Sequence, residues 1–346
     1  MRKIRPAAWV AGAVVLVVLA AACSAKSDSP SSGATSGSGA ASGSVAVSGS
    51  STVLPITQLV AERFADANPA AQISVDGPGT GDGFVLFCEG TTDINDASRA
   101  IEPEEAKACK QAGVHYVELE IGLDGITVMT NPANTAVTCL NKGDLYALFG
   151  PESEGFSSWS DANQLAQKVG GTGNFPDAPL SIVAPGEESG TYDSFITLAG
   201  IEEQALADGV ADDQAASLRP DYQSSAQDPV IIQGIEGSDT ALGFVGFAYA
   251  DQQGDSVTKL AIDGGNGCVE PSATTISDGT YPLARSLYLY VNTDKVASNA
   301  TLAAFVDSYL SDQGIAAVTD ADYVSIPADR MAATRQAWSQ AGGGVT

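Results

Sequence analysis

The stretch Pro185-Gly186-Glu187-Glu188-Ser189-Gly190-Thr191-Tyr192-Asp193 joins a strand-like run, Leu180 to Ala184, to a helix-like run, Tyr192 to Leu198. Such a junction narrows the choice of fold sharply. A Ser-Gly-Thr turn opening a helix leaves first-turn N–H groups without intrahelical partners, and two hydroxyls stand beside them. Donors and the positive end of the helix dipole then converge on one point, which suits an anion. Ser189 is equally the residue type that caps a helix start. Recurrence of the junction decides between these readings.

It recurs twice. Val45 to Ser48 alternates like a strand and runs into Gly49-Ser50-Ser51-Thr52-Val53-Leu54-Pro55, after which Ile56, Leu59, Val60 and Phe64 repeat at helical spacing. Pro55 suits a first helical turn. Gln72 to Val75 is a strand, Gly77 to Gly83 a glycine-rich turn that admits close backbone approach, and Phe84 to Phe87 the start of a helix. No Gly-Lys-Ser/Thr follows, so the turn is not a Walker loop. Thr92 to Arg99 is a short strand ending in a polar turn, with Arg99 just past the strand end, where α/β folds place ligand groups. Further along, Ile121 to Asn131 and Ser286 to Val291 read as strands, as does the apolar run Ala241 to Ala250. Leu145 to Phe149, Asp228 to Ile235, Val296 to Leu310 and Asp329 to Gln340 read as helices, while residues 200–224 are polar and alanine-rich, helix and loop. Alternating strands and helices imply an α/β chain with mixed, mostly parallel sheets covered on both faces. Ligand turns spread from residue 50 to 191 meet naturally in a cleft between two lobes.

The 346 residues carry a net charge of −26. That balance argues against nucleic acid and against an electrostatic grip on anionic lipid. It does not exclude an anionic ligand, because surface charge is screened over roughly 8 Å at physiological salt. Arg2, Lys3 and Arg5 precede an apolar run from Ala7 to Ala22 that stops at Cys23. A run this short reads as a signal segment, 1–22, not as a membrane span. Leu19-Ala20-Ala21-Ala22-Cys23 resembles a bacterial lipoprotein cleavage box, which implies an acylated Cys23, followed by a Ser/Gly tether over 23–44. The remaining cysteines, Cys88, Cys109, Cys139 and Cys268, suggest two disulfides with three connectivities. Cys88–Cys109 closes a short local loop and leaves Cys139–Cys268. No CxxC occurs and His115 is the sole histidine, so no metal or cofactor is expected.

In order, Gly-Ser-Ser-Thr at 49–52, Gly-Thr-Gly at 79–81, Ala-Ser-Arg at 97–99 and Glu-Ser-Gly-Thr at 188–191 resemble the phosphate-binding lipoproteins of Pst-type ABC importers, the PstS family. The resemblance runs over 45–346 and takes in Ala241-Leu242-Gly243-Phe244 and Pro282-Leu283-Ala284-Arg285. It implies a two-lobed periplasmic-binding-protein fold of type II, with lobe 1 from 45–128 plus 286–346 and lobe 2 from 129–285. It also implies a monomeric, lipid-anchored, extracytoplasmic protein that captures inorganic phosphate for the permease and ATPase subunits of an importer, without catalysis. Ligand contacts are expected from Ser50, the Ser51 hydroxyl, the Thr52 N–H, Thr80, Gly81 and Ser98. Ser189, Gly190 and Thr191 contribute from the other lobe.

Two departures matter. Better-known members have Ala-Ser-Asp where this chain has Ala97-Ser98-Arg99, and an Arg at the position of Pro185. The family's Asp accepts a hydrogen bond from the phosphate proton, which separates phosphate from sulfate. With Arg99 as the cation, the acceptor must come from elsewhere: Asp124 is the expected group, with Glu188 and Asp82 as alternatives. Arg285 serves either as a second cation or as a hinge residue. The competing readings are a binder of another oxyanion (sulfate, molybdate or tungstate), a secreted sensor or adhesin, and a phosphate-ester hydrolase with Ser189 as nucleophile. The last lacks an acid–base partner in the pattern around His115.

Overall fold

The computed structural model describes residues 41–344. The expected signal segment, the acylated Cys23 and the tether up to residue 40 fall outside the described residues. The chain opens with β1 (Ser44–Gly49), α1 (Leu54–Ala67), β2 (Gln72–Asp76), α2 (Thr80–Cys88), β3 (Ile94–Ala97), α3 (Pro103–Ala112) and the long β4 (Tyr116–Thr130). There follow β5 (Cys139–Asn141), α4 (Lys142–Phe149), α5 (Asn163–Lys168), β6 (Ser181–Ala184), α6 (Gly190–Ala199), β7 (Gln223–Ser224) and β8 (Ala241–Gly246). The last strands are β9 (Thr258–Lys259), β10 (Ala261–Asp263), β11 (Cys268–Val269) and β12 (Ala284–Asn292), before helices that include Ala300–Tyr309 and Ala328–Gln340.

The main sheet runs β2-β1-β3-β12-β4-β8-β6-β7, with β9 also on β4, and a small second sheet runs β11-β10-β5. Parallel pairs lie at the flanks, β1 on β2 and β3, and β6 on β7 and β8. The centre is antiparallel, β12 on β3 and β4, and β4 on β8. The sheets are therefore mixed, but they are less dominated by parallel pairs than expected. The cause is the crossing: β4 carries the chain from one lobe to the other and β12 brings it back alongside. Residues 116–125 of β4 pair with β12, and Ile126–Thr130 pair with β8.

Each lobe has its own core. One is built on Val45 and Val47 of β1, Ile56, Val60 and Phe64 of α1, β12, and Phe305 and Trp338 from the closing helices. The other is built on the far half of β4, Leu145 to Phe149 of α4, Trp159, Phe195 of α6 and Phe244 of β8. Phe195 stacks on Phe244 at 3.9 Å and Phe149 packs edge-on against both. Aromatic packing of this kind fixes α6 on the sheet. Both disulfides form as expected: Cys88–Cys109 ties α2 to α3, and Cys139–Cys268 ties β5 to β11.

Two expectations about elements need correction. The run Ala241 to Ala250 is not one strand, since β8 ends at Gly246 and Phe247–Gln252 is a helix. An apolar run buried on both faces reads the same as strand or helix, so its pattern does not mark the break. Val296 to Leu310 is likewise not continuous: Asn299 accepts from the N–H groups of Thr301 and Leu302 and starts a fresh helix.

Candidate functional site

Three helix starts are brought together by the way their helices bury. α1 turns Ile56, Val60 and Phe64 into one core, and α6 turns Tyr192, Phe195, Ile196 and Ala199 into the other. These spacings place Ser51 and Thr52 at the mouth of α1, outside its core face. On α6 they leave a polar face of Gly190, Asp193, Ser194 and Thr197. The start of α2 is drawn tight against β1 by two glycines. A Cβ on Gly83 would collide with Asn95 Oδ1 and the Gly49 backbone, and Gly49 itself has φ 138° and abuts the Asp96 carbonyl.

A cavity of roughly 260 Å³ lies where these starts meet. Its walls are Ser50, Ser51 and Thr52 before α1, Gly79 and Thr80 at α2, and Ser98 and Arg99 after β3. Asp193 and Thr197 of α6 and Arg285 of β12 complete it. The volume falls below the 300–1,000 Å³ typical of drug-sized ligands and suits a small one. Among the described residues, the N–H groups of Ser51, Thr80, Gly81 and Gly190 have no protein acceptor. Other donors are already engaged. Ser50 Oγ accepts from the Thr52 N–H at 3.2 Å, Thr80 Oγ1 from the Ser98 N–H at 3.1 Å, and Ser189 Oγ from the Thr191 N–H at 3.2 Å. Ser189 thus acts as the cap of α6.

The lobes touch directly across the cavity. Ser51 Oγ donates to Asp193 Oδ2 at 3.0 Å, and Thr52 Oγ1 and Ser194 Oγ lie 3.2 Å apart. Arg285 Nη2 donates to both of the latter, at 3.0 and 2.7 Å, while its Nε reaches Asp124 Oδ2 at 3.3 Å. Gly190 lies close to the Ser51–Thr52 backbone, where a Cβ would meet Ser51 O and Thr52 Cα at 3.5 Å, an ordinary contact.

Of the residues expected from sequence, Ser50, Ser51, Thr52, Thr80, Ser98 and Arg99 line the cavity; Gly81, Asp124, Ser189, Gly190 and Thr191 do not. Asp124 is 3% exposed, behind Arg285. Glu188 lines a separate cavity of roughly 550 Å³ with Glu187, Tyr192 and Tyr222, and Asp82 is exposed on the first turn of α2. Arg99 is clamped by Glu105 through bonds of 2.8 and 2.7 Å and approaches Glu102 at 3.4 Å. Those Glu105 bonds raise the guanidinium pKa despite partial burial. Burial pushes the Glu105 carboxyl up, but Arg99 and the Glu102 N–H together bring it below the ordinary carboxylate range. Asp193, Ser194 and Thr197 were missed. The signal for them was present: from Gly190, positions 193, 194 and 197 fall on one helix face. His115 is exposed and paired with Asp294 at 3.0 Å, away from the cavity wall. Among the described residues, no group of His, Cys, Asp and Glu is arranged to hold a metal ion.

A family model for the PBP superfamily domain matches residues 34–313. Protein SphX of Synechocystis sp. is 38% identical over 279 residues, 80% of this chain and 76% of that protein. The phosphate-binding protein PstS of Staphylococcus epidermidis is 32% identical over 278 residues, 80% of this chain and 77% of that one. A crystal structure described as a possible phosphate binding protein from Planctomyces limnophilus superposes with a TM-score of 0.77 at 33% identity, covering 87% of this chain and 99% of the other.

Proposed function

The chain belongs to the PBP superfamily and, within it, to the PstS phosphate-binding proteins, and from this premise we propose that it captures inorganic phosphate between its lobes for an ABC importer. The observation that carries the reading is the meeting, at one small cavity, of the open Ser51 and Thr80 N–H groups at the starts of α1 and α2 with the Asp193–Thr197 face of α6. Its fixed charges do not by themselves favour an anion. Arg99 and Arg285 are offset by Glu105, Glu102 and Asp124, and Asp193 adds a further negative charge. Capture therefore depends on amide and hydroxyl donors. Each hydrogen bond to a charged group contributes about 1.5–3 kcal/mol net. A handful of them, less desolvation and ordering, reaches micromolar affinity, about −8 kcal/mol.

In this reading Ser50, Ser51, Thr52, Thr80, Gly81, Ser98 and Arg99 hold phosphate from lobe 1, and Ser189, Gly190 and Thr191 close on it from lobe 2. Asp124 holds Arg285 in place. The lobes are taken as 45–128 plus 286–346 and 129–285, hinged at β4 and β12. The protein is taken as a monomer held outside the cell membrane through an acylated Cys23, from where it passes phosphate to the permease of an importer driven by ATPase subunits. Among the described residues no helix is long and apolar enough to cross a membrane. Calorimetry with phosphate, arsenate and sulfate in parallel tests the reading. Phosphate and arsenate are expected to bind at micromolar or tighter affinity and sulfate far more weakly. Absence of phosphate binding, or a preference for sulfate, overturns it.

A further inference from the structure

We propose that Asp193 is the group that reads the proton of the bound oxyanion and so selects phosphate over sulfate. The proposal rests on the reading of the cavity as a phosphate site. Every other side chain on the cavity wall offers a hydroxyl, which donates or accepts, or a guanidinium, which only donates; Asp193 is the sole carboxylate there. Its Oδ2 already accepts a hydrogen bond from Ser51 across the gap between lobes, at 3.0 Å. Asp124 is placed otherwise. It is buried, it is engaged by Arg285 Nε at 3.3 Å, and it forms no part of the wall. Asp82 and Glu188 face other surfaces.

The chemistry follows from the donor inventory. Sulfate has no proton at neutral pH, so its oxygens only accept and would face the carboxylate with nothing to give. Phosphate and arsenate carry at least one proton, which pairs with Asp193. The penalty on the wrong anion is a desolvated like charge, a cost several times larger inside a closed cleft than in water. The same contact links recognition to closure. On binding, Ser51 Oγ turns from Asp193 to the anion, and the anion's hydroxyl takes its place on the carboxylate. Ser51 of one lobe and Asp193 of the other are then bridged by the ligand.

Calorimetric affinities for phosphate and sulfate on wild type, Asp193→Asn, Asp193→Ala and Asp82→Asn test this. The wild type and Asp82→Asn are expected to share one phosphate-to-sulfate ratio. In Asp193→Asn phosphate weakens and sulfate tightens, because the new amide donates, and the ratio falls by at least about tenfold. In Asp193→Ala it falls through loss of phosphate alone. A general effect of Asp193 on helix α6 would move both anions together and leave the ratio fixed. A wild type that prefers phosphate, with both Asp193 variants keeping its ratio, overturns this inference and spares the phosphate reading. A wild type that binds no phosphate overturns both.

Discussion

The end of β3 and the β4–β12 crossing each contain one arginine and one buried aspartate, and they are wired differently. At the crossing, Arg285 and Asp124 pair with each other, and the arginine's remaining donors reach hydroxyls of both lobes. At β3 the two groups are separated. Asp96 points into the core near Thr57 and Tyr309. Arg99 points to the rim, where Glu105 and Glu102 hold it. Burial without a cation pushes the Asp96 carboxyl up to about 7, and Thr57 offsets this only in part. Thus the same two residue types make a bridge between lobes in one place, and in the other a core acid whose ionisation burial opposes, with a tethered cation at the rim. What a charged side chain does is set by its partner.

The largest effect is expected at the crossing. Arg285→Ala removes the bridge and leaves Asp124 buried and unpaired, so the fold is expected to lose about 3–5 kcal/mol. Phosphate affinity is expected to fall roughly a hundredfold, or about 2.7 kcal/mol. Denaturant midpoints and calorimetry on the same variant read both. An unchanged fold would mean that the pair carries no weight.

Next comes Asp96. Its folded pKa lies above the unfolded value of 3.8, so between about pH 4 and pH 7 the native state binds the extra proton. Stability present below that window is then lost as pH rises through it, by up to about 4 kcal/mol. Asp96→Asn is expected to flatten that slope and to be more stable than wild type at pH 8. If wild type and Asp96→Asn show the same change in unfolding free energy between pH 5 and pH 8 by urea titration, the Asp96 carboxyl does not set that slope.

Smaller effects are expected at the rim. Arg99→Ala is expected to weaken phosphate roughly tenfold, the size of one charge-assisted contact. Glu105→Gln should instead strengthen it by about threefold, because a partly exposed ion pair restrains Arg99 only weakly. If Glu105→Gln weakens binding, the clamp positions Arg99 and does not compete for it.

Most of this architecture was legible as local pattern. The turns at 49–55, 77–83 and 185–193 each carry their own signature of strand, Ser/Thr/Gly and helix, and the structure brings all three together. The disulfides followed from an even count and one short loop. What escaped was of two kinds. Asp193 and Thr197 were hidden because α6 was read for its opening turn and not for the face it presents. The roles of Asp124 and Arg285 depend on each other across 161 residues and a β-pairing, Arg285 opposite Asp124, that no local pattern announces. Burial of Asp96 is similar: a four-residue strand shows its alternation but not that both faces are covered.

A crystal structure of the protein with phosphate bound puts the account at greatest risk. The anion is expected in the 260 Å³ cavity, within hydrogen-bonding distance of the Ser51 and Thr80 N–H groups, with one oxygen against Asp193. Phosphate density elsewhere, for instance beside Glu187 and Tyr222, or an empty cavity in saturated crystals, would contradict the claim that helix mouths from both lobes hold the ligand.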